Sequence, residues 1–191
     1  MKKLLLLLVS GLCFTCANDP IPKPKAHLRL EYPVANYKTI EIDLPFKFNK
    51  NNLADRIKNV KVDLNSETYG FNINYPTLKG TLYLTYKRVN ETNLSSLLRD
   101  AQNITQKHVT KADAISEQVF IDKKRRVFGN FYEVGGNSAS QAQFYVTDSI
   151  NHFLNGSLYF FTKPNYDSIY PAAEYLKNDI KQIMESIEWK E

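Results

Sequence analysis

Apolar and polar residues alternate with a period of two along much of the chain, and that period predicts strands. Leu28 to Tyr32 is the first such run. In KTIEIDL (Lys38 to Leu44), Ile40, Ile42 and Leu44 share one face, and Thr39, Glu41 and Asp43 the other; Pro45-Phe46-Lys47-Phe48 extends or kinks the run. Val60 to Leu64, Phe71 to Tyr75 and Thr81 to Tyr86 alternate in the same way. The period then lengthens. Asn93 can cap a helix that carries Leu94, Leu97, Leu98, Ala101, Ile104 and His108 on one stripe. Strands resume at Glu117 to Asp122 and Arg126 to Val134, joined by a turn at Lys123-Lys124-Arg125, and then at Gln143 to Thr147 and Phe153 to Thr162. A last helix, capped by Asp167 or Ser168 and with Pro171 in its first turn, would align Leu176, Ile180, Ile183, Met184 and Ile187. Strands outnumber helices and many turns are short and polar. The expected architecture is therefore α+β: a mainly antiparallel β-sheet with packed helices, one domain over residues 28–191 with no repeat or linker dividing it.

The opening residues do not belong to that pattern. Met1-Lys2-Lys3 precedes an apolar run, Leu4 to Cys16, that reads as a secretory signal. It is too short to span a bilayer, which takes about 20 residues. Cys13 and Cys16 have the C-x-x-C spacing of a redox pair, but both lie in or at the edge of the signal. A lipoprotein signal over residues 1–15 suits them better, with Cys16 as the acylated first residue of the mature chain. Small Thr15 precedes Cys16 and polar Asn18 and Asp19 follow it. Cys13, preceded by bulky Leu12, is the alternative lipidation site, and ordinary secretion with cleavage nearby is another. Residues 16–27 then form a lipidated tether, kept extended by Pro20, Pro22 and Pro24. Ala17 after Cys16, and the lack of an acidic run beyond it, favour an outer-membrane anchor facing the periplasm, with the inner membrane as the alternative.

Composition agrees with a folded, exported body. Of 191 residues, 43% are hydrophobic and 24% charged, with 11 Phe, 12 Tyr and 1 Trp, which excludes a largely disordered chain. Removing residues 1–15 leaves 191 − 15 = 176 residues and takes away Lys2 and Lys3, so net charge falls from +5 to 23 − 20 = +3. No cysteine pair remains to form a disulfide, and the core alone must stabilise the domain.

Candidate chemistry is sparse. Ser138, Ser140, Asp148, Ser149 and His152 lie close together in sequence, but no G-x-S-x-G surrounds any serine. His27, His108 and His152 lack metal-ligand spacing, and no phosphate-cradling glycine motif occurs. No catalytic residue, metal or cofactor is expected. Lys123-Lys124-Arg125-Arg126 reads as a charged hairpin tip on an exported domain, with an acidic partner or a lipid surface as its other use; nucleic acid is not expected. Val134 to Ser149 (VGGNSASQAQFYVTDS) is the least ordinary stretch. Gly135, Gly136 and Asn137 permit left-handed turn geometry, and uncharged polar groups then sit beside aromatics. A protein or small-ligand contact, and an ordinary loop with a hairpin, both fit.

Several long blocks together resemble the gliding-motility lipoprotein GldD family. They are IPKPKAHLRLEYP (Ile21 to Pro33), IDLPFKF (Ile42 to Phe48), GGNSASQAQFYVTDSINHFLNGSLYFFTKPNYDSIYPAAEYLKNDI (Gly135 to Ile180) and ESIEWK (Glu185 to Lys190). The resemblance implies an envelope lipoprotein of gliding bacteria, tied to type IX secretion and not an enzyme. It would act as a scaffold, assembly or stabilising factor for other motility lipoproteins. Its partners would be the bilayer, through acylated Cys16, and other gliding and secretion envelope proteins. Within the shared blocks, Asn137, Ser138, Ser140, Gln143, Tyr145, Thr147, Asp148 and Ser149 are the candidate contact residues. The order of elements is also similar to the PsbP/Mog1-like fold, which carries no function with it. The alternative is a periplasmic module for a small ligand or peptidoglycan fragment, which requires a deep pocket at Gln143, Tyr145 and Asp148. A hydrolase would require a Ser–His contact near His152.

Overall fold

A computed structural model describes residues 30–57, 61–63, 67–106, 112–162 and 165–190. The expected signal with Cys13, Cys16, the expected tether, His27, Leu28, Arg29, Val60, Leu64 and His108 lie outside the described residues. The strands are β1 (Tyr37–Glu41), β2 (Phe46–Asn51), β3 (Lys61–Asp63), β4 (Thr68–Tyr75), β5 (Gly80–Arg88), β6 (Ala114–Asp122), β7 (Val127–Gly135), β8 (Ser140–Thr147), β9 (His152–Phe160) and β10 (Glu188–Trp189). Helix α1 (Leu94–Gln106) follows β5, and helix α2 (Tyr166–Ser186) follows β9. The seven-stranded sheet has the order β3-β4-β5-β9-β8-β7-β6, and the three-stranded sheet the order β1-β2-β10. Every pairing is antiparallel, so the chain is an α+β protein built on antiparallel sheet.

Side-chain alternation decides the layers. On β5, Leu82, Leu84 and Tyr86 face the main core; on β8, Ala142, Phe144 and Val146 do so. That core closes under α2, whose Leu176, Ile180, Ile183 and Met184 are almost fully buried together with Ile187 just beyond it. These are the five residues that the helical stripe aligned. The three-stranded sheet adds Phe46 and Phe48, whose rings lie 6.2 and 6.4 Å from that of Phe71 on β4. The opposite sheet face carries a smaller cluster. There Leu97 and Ala101 of α1 meet Tyr132, Tyr145 and Phe153. Strand β8 is thus covered on both faces, and all eight of its residues are buried.

Three expected elements come out differently. Leu30 to Tyr32 is not a strand: Pro33 removes a ladder donor, and the Tyr32 ring seats 5.3 Å from that of Tyr175 on α2 instead. The run from Lys38 does not continue to Phe48. Leu44 N–H donates to the Ile42 carbonyl at 2.7 Å and Phe46 N–H to the Leu44 carbonyl at 2.8 Å. These tight turns reverse the chain, so β2 returns to pair with β1, Ile40 opposite Phe48. Helix α2 starts at Tyr166, before Asp167 and Ser168, with Asn165 as its N-cap residue. Pro171 therefore lies in the second turn of the helix.

Candidate functional site

The candidate contact residues separate by burial. Asn137 and Ser149 are exposed, whereas Ser138, Ser140, Gln143, Tyr145, Thr147 and Asp148 are buried. Except for Ser138, whose buried hydroxyl has no hydrogen-bond partner among the described residues, each has work inside the fold. Gly136, at φ 89°, makes the one left-handed glycine turn among the described residues and brings the chain from β7 toward β8. The next side chain, Asn137, accepts the Tyr166 N–H at 2.9 Å and so satisfies one of the free donors at the start of α2. Ser140 Oγ donates to the Ala142 carbonyl at 3.2 Å, where the β8–β9 register shifts. Gln143 Oε1 accepts the Thr105 hydroxyl at 2.8 Å and ties α1 to β8. Tyr145 stacks on Phe153 at 5.7 Å, nearly parallel.

Thr147, Asp148 and Ser149 build the β8–β9 turn. Asp148 Oδ1 accepts the N–H groups of Ile150, Asn151 and His152 at 3.0, 2.8 and 2.8 Å. Thr147 Oγ1 accepts the Ser149 N–H at 2.9 Å and donates to the His152 carbonyl at 2.6 Å. Ser149 itself takes a left-handed φ of 69°. This is the hydrogen-bonding chemistry that makes Asp and Ser turn residues. The space beside Gln143 and Tyr145, under α1, is about 10 Å³. A sugar or peptide fragment cannot enter it.

The roomier sites lie elsewhere. A cleft of about 380 Å³ opens where the two sheets meet, with Asp43, Glu67, Arg88 and Lys190 on its rim and Tyr69, Tyr86 and His152 in its wall. Tyr86 OH and His152 Nδ1 share a hydrogen bond of 2.8 Å. Burial pushes the Tyr86 hydroxyl up to about 12, so it keeps its proton. Burial also holds the His152 imidazole below its ordinary value, with nearby Arg88 adding to the effect and Asp148 opposing it. The same imidazole lies flat on Trp189, ring centres 5.0 Å apart and planes 9° apart. His152 is thus bonded to a phenol at one nitrogen and stacked on an indole. That arrangement latches the end of β9 to the C-terminal strand β10. A second, open groove of about 720 Å³ runs beside α1, between it and β5 and β9. Among the described residues, no group of three or more His, Cys, Asp or Glu is placed to hold a metal ion.

Two buried polar clusters join α2 to the sheets. Asp179 of α2, 2% exposed, accepts the Tyr37 hydroxyl at 2.6 Å and the Asn51 amide at 3.0 and 3.1 Å, and is also bonded by Tyr75. It joins β1, β2 and β4 to the long helix. Burial lifts its carboxyl above the usual range, and those hydrogen bonds offset only part of the lift. Lys177, 4% exposed, bridges Glu174 at 2.7 Å and Glu133 of β7 at 3.2 Å. Burial pushes Glu133 upward, but the ammonium groups of Lys181 and Lys177 outweigh it and hold the carboxyl below its ordinary value. The sequence carried one signal for both clusters. Lys177 and Asp179 interrupt the apolar stripe of the last helix, and a charge there must find partners.

A family model of the gliding motility lipoprotein GldD matches residues 17–189. The chain belongs to the GldD family. Membership carries a role in gliding motility, and the lipoprotein character of GldD carries association with the cell envelope. No curated protein and no solved structure matches the chain. No helix among the described residues is long and apolar enough to cross a membrane.

Proposed function

We propose that this protein is a non-enzymatic scaffold of the motility apparatus, assembling or stabilising other gliding lipoproteins and the type IX secretion machinery. The continuous match to a motility lipoprotein family, tether and body together, carries this reading. Acylation of Cys16 with palmitate-type chains holds the body at the membrane, with the outer membrane, periplasmic face, as the preferred site. Of the eight candidate residues, Asn137 and Ser149 offer open surface, and they lie at opposite ends of β8. The surfaces around the two β8 turns are therefore the contact regions to test. Deleting the gene should abolish gliding and lower the level of other motility lipoproteins; a deletion strain that glides and secretes normally defeats the reading. Crosslinking in intact envelopes from positions 137 and 149 should capture other envelope proteins of the apparatus. Cys16→Ala should release the body from membranes, whereas unchanged fractionation points to Cys13.

One observation favours a second reading, a periplasmic module for a small ligand or peptidoglycan fragment. The cleft at Tyr86 and His152 has room for such a molecule and carries charges of both signs on its rim. Peptidoglycan stem peptides are zwitterionic and would suit it. Binding of a muropeptide that Arg88→Ala abolishes supports this reading; no heat on calorimetric titration removes it. The closing sequence of strand, helix and short strand (β9, α2, β10) also supports a PsbP/Mog1-like architecture as a proposal about fold alone.

A further inference from the structure

The hairpin between β6 and β7 combines two features that the scaffold reading leaves unused. Its tip is strongly basic. Asp122 accepts the Arg125 N–H at 3.0 Å and Nε at 2.8 Å, which folds residues 122–125 into a compact turn and neutralises Arg125. Lys123, Lys124 and Arg126 are exposed and carry no ion pair among the described residues. Next to the tip, the edge strand leaves apolar side chains in solvent: Val119 is 70% exposed and Ile121 61%. The pairing register puts Ile121 opposite Phe128, and Phe128 opposite Thr147 of β8. Antiparallel order brings the β8–β9 turn out of the sheet at the same end, two strands away, about 10 Å. That turn presents Ile150, 52% exposed.

We propose that this corner docks on the surface of an anionic bilayer, with Lys123, Lys124 and Arg126 at lipid phosphates and Ile121 and Ile150 entering the headgroup boundary. The inference rests on the lipid-anchor reading. Clustered cations flanked by exposed aliphatic side chains are the chemistry of a membrane interface. An acidic protein would match the charge and leave the aliphatic groups without a use. The chain length permits the contact. From Cys16 to Leu30 there are 30 − 16 = 14 residues, which reach at most about 50 Å at about 3.5 Å each. The anchor makes docking effectively intramolecular, so a weak surface contact holds the body in one orientation.

The chain supplies its own reporter. Trp189 is the one tryptophan, and its indole N–H donates to the Arg126 carbonyl at 3.2 Å, beside the tip. Purified full-length lipidated protein is reconstituted into vesicles of phosphatidylcholine, with or without phosphatidylglycerol, that contain dansyl-phosphatidylethanolamine. Energy transfer from Trp189 to dansyl is read, and flotation is measured in parallel. Docking gives higher transfer in the anionic vesicles, reversed by high salt. Lys123→Ala with Lys124→Ala should lower the docking constant about 30-fold. Ile121→Ser should lower transfer as well, with flotation intact in both variants. Equal transfer from anionic and neutral vesicles, or transfer that neither variant changes, overturns the proposal. It fails likewise if the double variant loses an acidic protein partner while its transfer is unchanged. If the wild-type chain does not float, the anchor reading fails, and cosedimentation with the same vesicles then decides docking. Salt-sensitive binding to phosphatidylglycerol vesicles alone supports it, and no binding ends it.

Discussion

Asp179 gives the sharpest test of how the body is held together, because one carboxylate serves three strands. Asp179→Ala removes the acceptor from Tyr37, Asn51 and Tyr75. Tyr37 is only half-buried and can turn toward water, so its hydroxyl adds little. Asn51 is 3% exposed and Tyr75 2%, and neither can rehydrate; the Asn51 amide keeps Tyr175 OH, 2.9 Å away, for one N–H and loses the acceptor of the other. A buried donor left without an acceptor costs about 1–3 kcal/mol, so the two together cost about 2–6 kcal/mol. Relief from burying the carboxylate pulls the net toward the lower half, about 3 kcal/mol. Urea unfolding followed by Trp189 fluorescence reads this directly. With a slope of about 2–3 kcal/mol/M for a chain of this size, the midpoint should fall by about 1–1.5 M. Tyr37→Phe should move it by less than about 0.4 M, since it removes one half-exposed bond. The pH dependence has a definite sign. The folded carboxyl titrates above its ordinary 3.8, so between the two values the folded state binds more protons than the unfolded. Asp179 therefore makes stability fall as pH rises through the window just above 3.8, and the alanine variant loses that slope. A midpoint within 0.4 M of wild type (about 1 kcal/mol), or one equal to that of Tyr37→Phe, would refute the three-strand clamp.

Three further outcomes follow from single contacts. Gly129→Ala should abolish soluble expression, because a Cβ there would overlap the backbone oxygen of Tyr145 on the paired strand; a folded variant with native circular dichroism contradicts that packing. His152 should titrate below its ordinary 6.5 by NMR, and its contribution to stability should be lost as pH falls below that value, since the unfolded state then takes up the proton first; a value above 6.5 refutes the neutral latch. Glu133→Gln should lower stability by about 2 kcal/mol at pH 7, where it leaves buried Lys177 with one carboxylate instead of two, and by much less in acid. Glu133 is held below its ordinary range, so its contribution is present above that range and is lost as pH falls through the folded value. Thermal melts at pH 7 and pH 3 should show the difference shrinking.

The polar stretch after β7 shows how far one-dimensional pattern reaches. Gln143, Tyr145 and Thr147 alternate with Ala142, Phe144 and Val146, which reads as a strand with one wet face. The strand is there, but its polar-looking face lies under α1 and its apolar face toward α2, so both are buried. Alternation reports the direction of successive side chains and says nothing of what another element lays over them. The same holds at Asp43 to Pro45. Three alternating apolar residues run into the turn, yet the chain reverses there and gives β2 a partner.

By itself the sequence determined most of the periods: the majority of the strands, where the two helices lie, and which stripe of α2 meets the core, but not the short strand β10 or the irregular stretch at Leu30 to Tyr32. It determined the family as well, because the match over residues 17–189 draws on residue types alone and needs no geometry. Only the tertiary structure decided that β8 is a doubly covered strand, that Asn137 reaches 29 residues along the chain to the start of α2, and that Tyr37 finds Asp179 across 142 residues. The physical reason is range. Backbone period follows from a few adjacent residues, whereas the partner of a buried charge and the cover of a sheet face are chosen by distant segments competing to bury the same apolar area.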